Sequence, residues 1–176
     1  FTVGLLNAVY ALNGKMRSKM QLAEEAIHVE QKLIQENVGS QDQVAAAFGG
    51  FNKIDFLKDD TIQVKPVIIS REKLEFFQSH FLFFFTGINR FASQVAEEQI
   101  KNTPDKTKQL ESMYEMVDES LATLQNIEYD PDQFGHLLHD AWRLKKELSS
   151  QITNTQVDEI YTAAKQAGAL GGKLIG

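Results

Sequence analysis

The stretch that decides the fold leads from a polar loop into a run of small residues: positions 34–52 read IQENVGSQDQVAAAFGGFN. Residues 38–43 form the loop, and the small residues from Val44 to Gly50 predict a turn or short helix packed tightly beside a neighbour. Asp42, in the loop, could orient or deprotonate an attacking hydroxyl group. Aspartate is also a preferred helix N-cap, and the residues alone favour that interpretation, although one side chain can serve both roles.

A helix is predicted just before this loop, beginning after Ser18 and ending near Glu36-Asn37. Its apolar residues recur every three or four positions, as expected for a helix buried on one side: Leu22, Ala26, Val29 and Leu33. Glu30 lies on this helix twelve positions before Asp42, and a carboxylate directed toward the same cleft would suit a hard cation such as magnesium. The residues alone favour a solvated glutamate beside Lys32, because helix surfaces are rich in charge.

The flanking segments predict a mixture of helices and strands. A first helix ends at Asn13-Gly14, and two strands follow the small-residue run, at residues 51–56 and 62–69. Pro66 in the second strand marks an edge, a bulge or a domain join. The apolar run from Phe81 to Thr86 is too short to span a bilayer and predicts a buried strand.

The rest of the chain predicts helices. They begin after the caps or breakers at Ser70, Asn89, Thr103-Pro104, Asp130-Pro131 and Thr155, the last with Asp158 as a capping box. The predicted class is therefore α+β. We expect two domains, residues 1–66 and 67–176.

Two further groups of residues are candidates for binding. Thr86 and Arg90 follow the predicted buried strand, and Arg90 could hold a phosphate through two hydrogen bonds or pair with a nearby glutamate. Residues 168–176 read GALGGKLIG, and such glycines let backbone N–H groups crowd around an anion. This tail is not a Walker A pattern, and a helix C-cap followed by a disordered end explains it equally well. The histidines lack metal-ligand spacing.

Composition limits the classes of function. The chain has 176 residues, 43% hydrophobic and 24% charged, which is typical of a soluble globular protein. Its net charge of −6 argues against a nucleic-acid partner, which requires a clustered basic face. Without cysteine it has no disulfide and no thiolate metal site. We see neither a signal peptide nor an initiator methionine, and expect a cytoplasmic protein with no membrane partner whose natural start lies upstream.

Taken together, these segments resemble the GHMP kinases, the family named after galactokinase, homoserine kinase, mevalonate kinase and phosphomevalonate kinase. Residues 34–52 look like the segment around that family's catalytic aspartate, and the tail from Gly168 looks like the start of its third glycine-rich motif. The resemblance covers essentially the whole chain. It is closest to the branch that phosphorylates D-glycero-D-manno-heptose 7-phosphate, on residues 85–90 and the run from Trp142 to Gly172.

The resemblance implies part of the family's N-terminal α/β domain followed by a helix-rich, ferredoxin-like C-terminal domain. It also implies transfer of phosphate from ATP, with magnesium, to the anomeric hydroxyl of the sugar phosphate. Asp42 would be the base or orienting carboxylate, and Glu30 the magnesium ligand. Substrate would lie near five residues: Gly39, Ser40, Gln41, Thr86 and Arg90. The loop that closes over substrate and phosphates would begin at Gly171, Gly172 and Lys173.

The departures from the family pattern carry their own expectations. The family's first motif, its Gly-Leu-Gly-Ser-Ser phosphate loop and the end of its third motif do not occur in the sequence. Because phosphoryl transfer depends on positioning and on stabilised phosphate charge, we expect these 176 residues to be inactive alone, although the parent is a kinase. Unpaired sheet edges would favour a homodimer. A fucose- or galactose-type kinase, a non-catalytic sugar sensor and a helical interaction module are the alternatives.

Overall fold

The computed structural model describes residues 1–87, 92–126 and 130–175, with side chains at all of these positions except 92–94. The chain divides into two compact units, Phe1–Val67 and Ile68–Gly176. The first unit combines helices with a two-stranded sheet, and the described part of the second is helical. This mixture agrees with the predicted α+β class.

The first unit contains three helices, a π turn and a β-hairpin. In chain order these are α1 (Thr2–Leu12), α2 (Lys19–His28), the π turn (Val29–Leu33), α3 (Gln41–Phe48), β1 (Asn52–Phe56) and β2 (Ile62–Pro66). Ser18 caps α2 as predicted, and it does so in a capping box with Gln21. The Gln21 N–H donates to Ser18 Oγ over 3.2 Å, and the Ser18 N–H donates to Gln21 Oε1 over 3.0 Å.

The hairpin is antiparallel, with Ile54 opposite Val64. Pro66 is the last residue of β2, so the second strand ends there and does not continue to residue 69. Proline has no N–H to donate to a ladder, which makes a strand end a natural position for it.

The core of the first unit forms where its three helices meet. Val3, Leu22 and Ala26 are buried at its centre, with Leu6, Tyr10 and Ala47 packed around them. Ala23, Ala26 and Val44 are fully buried. Their small side chains let α2 and α3 approach closely, as the small-residue run predicts, and this approach brings the end of α2 beside the start of α3.

The described part of the second unit contains five helices and a 3-10 turn. In order these are α4 (Arg71–Ser79), α5 (Ala92–Asn102), the 3-10 turn (Thr103–Lys106), α6 (Thr107–Gln125), α7 (Pro131–Leu148) and α8 (Thr155–Gln166). The buried core residues are Trp142, Leu148, Ile152 and Val157, against which Val95, Leu110, Met113, Tyr161 and Leu174 pack. Among the described residues, no helix is both long and apolar enough to cross a membrane.

The predicted buried strand from Phe81 to Thr86 is wrong. Phe81 contacts the rings of Phe77 and Phe134, with centroids 4.7 and 5.9 Å apart. The four residues that follow Phe81 are 68–97% exposed and form no ladder. A strand needs a partner for its backbone groups, and the described residues of this unit provide none. The ferredoxin-like organisation of this unit therefore stays a prediction.

Of two helix caps predicted in the second unit, one is confirmed and the other is wrong. Asp130 caps α7 as predicted, its Oδ1 accepting from the Asp132 N–H over 2.9 Å. The predicted Thr155–Asp158 capping box does not form, because Asn154 Oδ1 accepts from the Val157 N–H over 2.9 Å. Asp158 instead accepts from Lys146 Nζ and Thr153 Oγ1, at 3.2 and 3.1 Å.

Candidate functional site

Two polar side chains meet where the end of α2 approaches the start of α3. Gln43 Nε2 donates a hydrogen bond to Glu30 Oε2, which joins residues thirteen positions apart. Chemistry sets this orientation, since an ionised carboxylate only accepts hydrogen bonds and the amide NH₂ must face it. Glu30 is half-buried and Gln43 is only 5% exposed. Gln43 Oε1, the other end of the amide, is buried without a hydrogen-bond partner among the described residues.

Glu30 lies in the π turn that continues α2. The Ile34 N–H donates to Val29 O over 2.9 Å, a bond that spans five residues rather than the four of an α-helix. The Glu36 N–H then donates to the carbonyl oxygen of Glu30 itself over 3.0 Å, and Gln35 has a positive φ of 62°. The sequence predicts an ordinary helix to about residue 36, so the wide turn is a correction. Single π turns within helices occur frequently at functional sites.

A second glutamine holds the loop between the π turn and α3. Gln31 Nε2 donates to Val38 O over 2.9 Å and to Ser40 Oγ over 3.1 Å. The Ser40 hydroxyl is therefore turned toward the π turn. Gly39 beside it is exposed, and a Cβ added there would meet nothing within 4 Å. The two bonds of Gln31 fix the path of the chain into α3.

Asp42 is not the cap of α3, contrary to the interpretation that the residues alone favour. The helix begins at Gln41, its N-cap is Ser40, and the Ser40 side chain makes no capping hydrogen bond. Asp42 lies exposed in the first turn, where the positive end of the helix dipole favours a negative charge. Because Asp42 does not cap the helix and is exposed, its carboxylate is accessible to a ligand.

In the second unit, the glycine-dense tail lies against α7. A Cβ added to Gly171 would lie 2.0 Å from Gly135 O and 2.6 Å from the backbone nitrogen of His139, so only glycine fits this approach. Lys165 Nζ donates to Leu170 O over 2.8 Å, and Leu174 packs against the core around Trp142. The tail is therefore packed on the unit as far as Leu174, which favours an ordered tail over a disordered end.

The remaining predicted site residues have simpler surroundings. Gly172 is half-buried near the Tyr161 ring, at 3.6 Å from an added Cβ, whereas Lys173 is exposed. Thr86 is half-buried in the irregular segment after α4. Arg90 lies outside the described residues.

The structure thus assembles the predicted residues in two groups, one in each unit. In the first unit, Gln31 and Gln43 tie the π turn that carries Glu30 to the segment from Gly39 to Asp42. In the second unit, Gly171, Gly172 and Lys173 lie in the tail after α8, which contacts α7 at Gly171.

The sequence predictions missed the roles of Gln31 and Gln43. Gln41 and Gln43 stand on either side of Asp42, and only the helix register shows that Gln43 is turned inward while Gln41 is exposed. A weak signal existed, because Gln43 stands four residues before Ala47, which packs against the core, and residues four apart share one face of a helix.

The polar contacts next to the tail were missed as well. His139 Nδ1 and Tyr161 OH are 2.5 Å apart, and Lys146 Nζ lies 5.9 Å from the ring centroids of both Trp142 and Tyr161. Burial, followed by the negative charge of Asp140, raises the pKa of Tyr161 above its ordinary value. Tyr161 lies on α8 and its partners His139 and Lys146 lie on α7, so no local pattern predicts these two contacts. Lys146 and Trp142 are four residues apart on α7, a spacing that brings side chains together on a helix.

The donors around Glu30 fit a hard cation. Among the described residues, no group of three or more His, Cys, Asp or Glu side chains could hold a metal ion. Magnesium does not require one, since it commonly takes one or two carboxylates and completes its shell with phosphate oxygens and water. Glu30 offers such a carboxylate, held by the Nε2 end of the Gln43 amide.

Comparisons with known proteins find both curated proteins and solved structures that are similar to this chain. No protein-family model matches it. It is 28% identical over 175 residues to the D-glycero-alpha-D-manno-heptose 7-phosphate kinase of Campylobacter jejuni, covering 99% of this chain and 51% of that protein. It is 27% identical over 144 residues to the bifunctional fucokinase/GDP-fucose pyrophosphorylase of Arabidopsis thaliana, covering 78% of this chain and 13% of that protein.

A solved structure matches as well. It is the D-glycero-D-manno-heptose 1-phosphate kinase from Bacteriodes thetaiotaomicron, with a TM-score of 0.66 and 27% identity. The match covers 99% of this chain and 47% of that one. The chain therefore spans about half the length of each of these two heptose phosphate kinases.

Proposed function

We propose that this chain, which is related to sugar kinases of the GHMP type, is part of an ATP-dependent kinase that phosphorylates a sugar hydroxyl. The proposed acceptor is the anomeric hydroxyl of D-glycero-D-manno-heptose 7-phosphate. One observation carries the proposal: the exposed carboxylate of Asp42 directly precedes the buried amide that holds Glu30. The relatives support the class of acceptor, since two are named as heptose phosphate kinases and the third as a fucokinase.

Asp42 serves as the base or orienting group in this proposal. Its carboxylate accepts the proton of the sugar hydroxyl as that oxygen bonds to the γ-phosphorus of ATP. The bond from the γ-phosphorus to the bridging oxygen breaks, and ADP leaves with the electron pair. Exposure in the first turn of α3 leaves the carboxylate open to a sugar, with Gly39, Ser40 and Gln41 next to it in the chain.

Glu30 is the residue that would hold magnesium, with the amide of Gln43 beside it. When bound, the ion supplies positive charge that offsets the negative charge on the phosphate oxygens of ATP. We also propose that the tail of the second unit binds phosphate. Lys173 offers an exposed ammonium group there, and Gly171 and Gly172 add backbone N–H groups. Thr86 and Arg90 are proposed to contact the acceptor.

We further propose that the 176 residues do not turn over by themselves. Phosphoryl transfer needs groups that hold the phosphates in place, and the sequence contains neither a Walker A pattern nor a Gly-Leu-Gly-Ser-Ser loop. The reaction would take place in the cytoplasm, where ATP is available.

The test compares the 176-residue chain with the longest natural protein that contains it. ADP formation is measured with heptose 7-phosphate and, as the alternative acceptor, with fucose. We expect turnover on the heptose by the longer protein only. In that protein, Asp42→Asn should lower kcat about 10²–10⁴-fold, the usual contribution of a general base.

Asp60→Asn is the matched control for this change. Asp60 is an exposed aspartate of the β1–β2 turn with a φ of 63°, a conformation that asparagine tolerates, so turnover should be unchanged. Full activity in Asp42→Asn would remove Asp42 from the mechanism. A longer protein that phosphorylates neither sugar would refute the proposed function, and turnover by the 176 residues would refute their inactivity.

A further inference from the structure

We propose that Gln43 is a positioning residue for Glu30 and that it determines how tightly this site holds a divalent cation. The inference rests on the proposed function in one respect only, the assignment of Glu30 as a metal ligand. It adds a residue whose side chain acts through another side chain.

The burial of Gln43 is the first observation. Its side chain lies on the inner face of α3 next to Val44, which is fully buried, and Gln43 itself is 5% exposed. Glutamine is seldom buried unless its polar atoms are paired. In the described structure only one end of this amide is paired, through the bond from Nε2 to Glu30. The hydrogen bond to Glu30 is therefore the one interaction that offsets the cost of burying this amide.

The charge of the pair is the second observation. Among the described residues Glu30 forms no ion pair, and its partner is a neutral donor. A lysine or arginine at position 43 would fix the carboxylate equally well, but it would cancel the negative charge that attracts a cation. An amide holds the carboxylate in one orientation and leaves that charge available.

The backbone at Glu30 is the third observation. Glu30 lies in a π turn, and the Glu36 N–H donates to its carbonyl oxygen in place of a regular helical bond. Among the described residues the Glu30 carboxylate has one hydrogen-bond partner, Gln43, and that bond sets its direction. Gln43 Oε1, at the other end of the amide, is buried without a partner among the described residues, so Nε2 is the atom through which Gln43 acts on Glu30.

Binding of Mn²⁺ to the 176-residue chain tests the inference without any assay of activity. Free Mn²⁺ is followed by electron paramagnetic resonance as metal is titrated into the wild-type chain and four variants. Glu30→Gln removes the ligand. Gln43→Met removes the donor and keeps the length of the side chain, and Gln43→Asn keeps the amide but is too short to reach Glu30. Gln63→Met makes the same chemical change at an exposed position of β2.

We expect Glu30→Gln to abolish the specific binding of Mn²⁺. Both Gln43 variants should weaken it about 10–100-fold, the usual effect of losing a partner that orients a metal ligand, and Gln63→Met should leave it unchanged. Circular dichroism reports whether each variant is folded. A purely structural role for Gln43 would lower the unfolding temperature of the variants and leave the Mn²⁺ affinity of the folded chain as it is.

The outcomes separate this inference from the proposed function. If Glu30→Gln abolishes binding and both folded Gln43 variants bind Mn²⁺ like the wild type, the inference is refuted and the metal site stands. If Glu30→Gln binds Mn²⁺ like the wild type, Glu30 is not a ligand, and the metal site and the role of Gln43 are refuted together.

Discussion

Replacing Gly171 with alanine should detach the tail from α7 and destabilise the second unit. The added Cβ would lie 2.0 Å from Gly135 O, whereas ordinary contact begins at 3.4 Å, so the two atoms must separate by about 1.4 Å. Gly135 lies inside α7, and its carbonyl oxygen cannot move that far without disturbing the helix. The tail is the part that moves.

The size of the effect follows from what the tail loses when it moves. Leu174 is half-buried against the core, and full burial of a leucine is worth about 1.5–3 kcal/mol, so roughly 1 kcal/mol is at stake there. The hydrogen bond from Lys165 Nζ to Leu170 O adds about 1 kcal/mol. We expect the free energy of unfolding of the second unit to fall by about 2 kcal/mol.

Trp142 provides the assay, because it is the one tryptophan in the sequence and is 1% exposed in the core of the second unit. Urea unfolding followed by its fluorescence should show a lower midpoint for Gly171→Ala. Trypsin should also cleave the variant faster after Lys173. Gly4→Ala is the matched control, since a Cβ at this position of α1 meets nothing within 4 Å and should leave the tryptophan transition unchanged. An unchanged midpoint with unchanged cleavage in Gly171→Ala would refute the packing of the tail on α7.

Two further predictions concern a helix cap and an ion pair. Asn154→Ala should destabilise the second unit by about 1 kcal/mol because it removes the cap of α8, whereas Thr155→Ala should cost much less; equal losses in urea unfolding would contradict this assignment. The hydrogen bond from Lys65 Nζ, followed by the charge of Lys53, lowers the pKa of Asp55 below its ordinary value. A depressed pKa stabilises the folded state above the unfolded value of about 4, and this stabilisation is lost as the pH falls through the folded pKa. As the pH falls below 5, the free energy of unfolding of Asp55→Asn should therefore decrease less than that of the wild type. An equal decrease in both proteins, measured by urea unfolding at each pH, would contradict this prediction.

Local chemistry made several elements predictable from the sequence. Ser18, Ser70 and Asp130 each cap a helix at the predicted place, since a cap depends on a side chain and the two or three residues after it. The prediction at Thr155 failed by one residue, because Asn154 offers a competing oxygen that reaches the same orphan N–H groups.

Features that depend on distant partners were not predictable. The aromatic run after Phe81 has the composition of a buried strand, but burial requires a second surface that no local pattern reveals. The close approach of Gly171 to Gly135 joins positions that are far apart in the sequence. At the candidate site, the sequence pointed to Asp42 and Glu30 as separate residues, and only the packing of α3 on α2 shows that Gln43 connects their segments.

The exposed aromatic run has a practical consequence for anyone who prepares this chain. Four consecutive large apolar residues, Leu82 to Phe85, face solvent without a charge or proline among them. Short windows of this composition are the ones that nucleate β-rich aggregates. The chain should therefore aggregate at a lower protein concentration than its net charge of −6 suggests. A lysine in place of Phe84 would act as a gatekeeper in this run, at a position where the side chain is already 68% exposed.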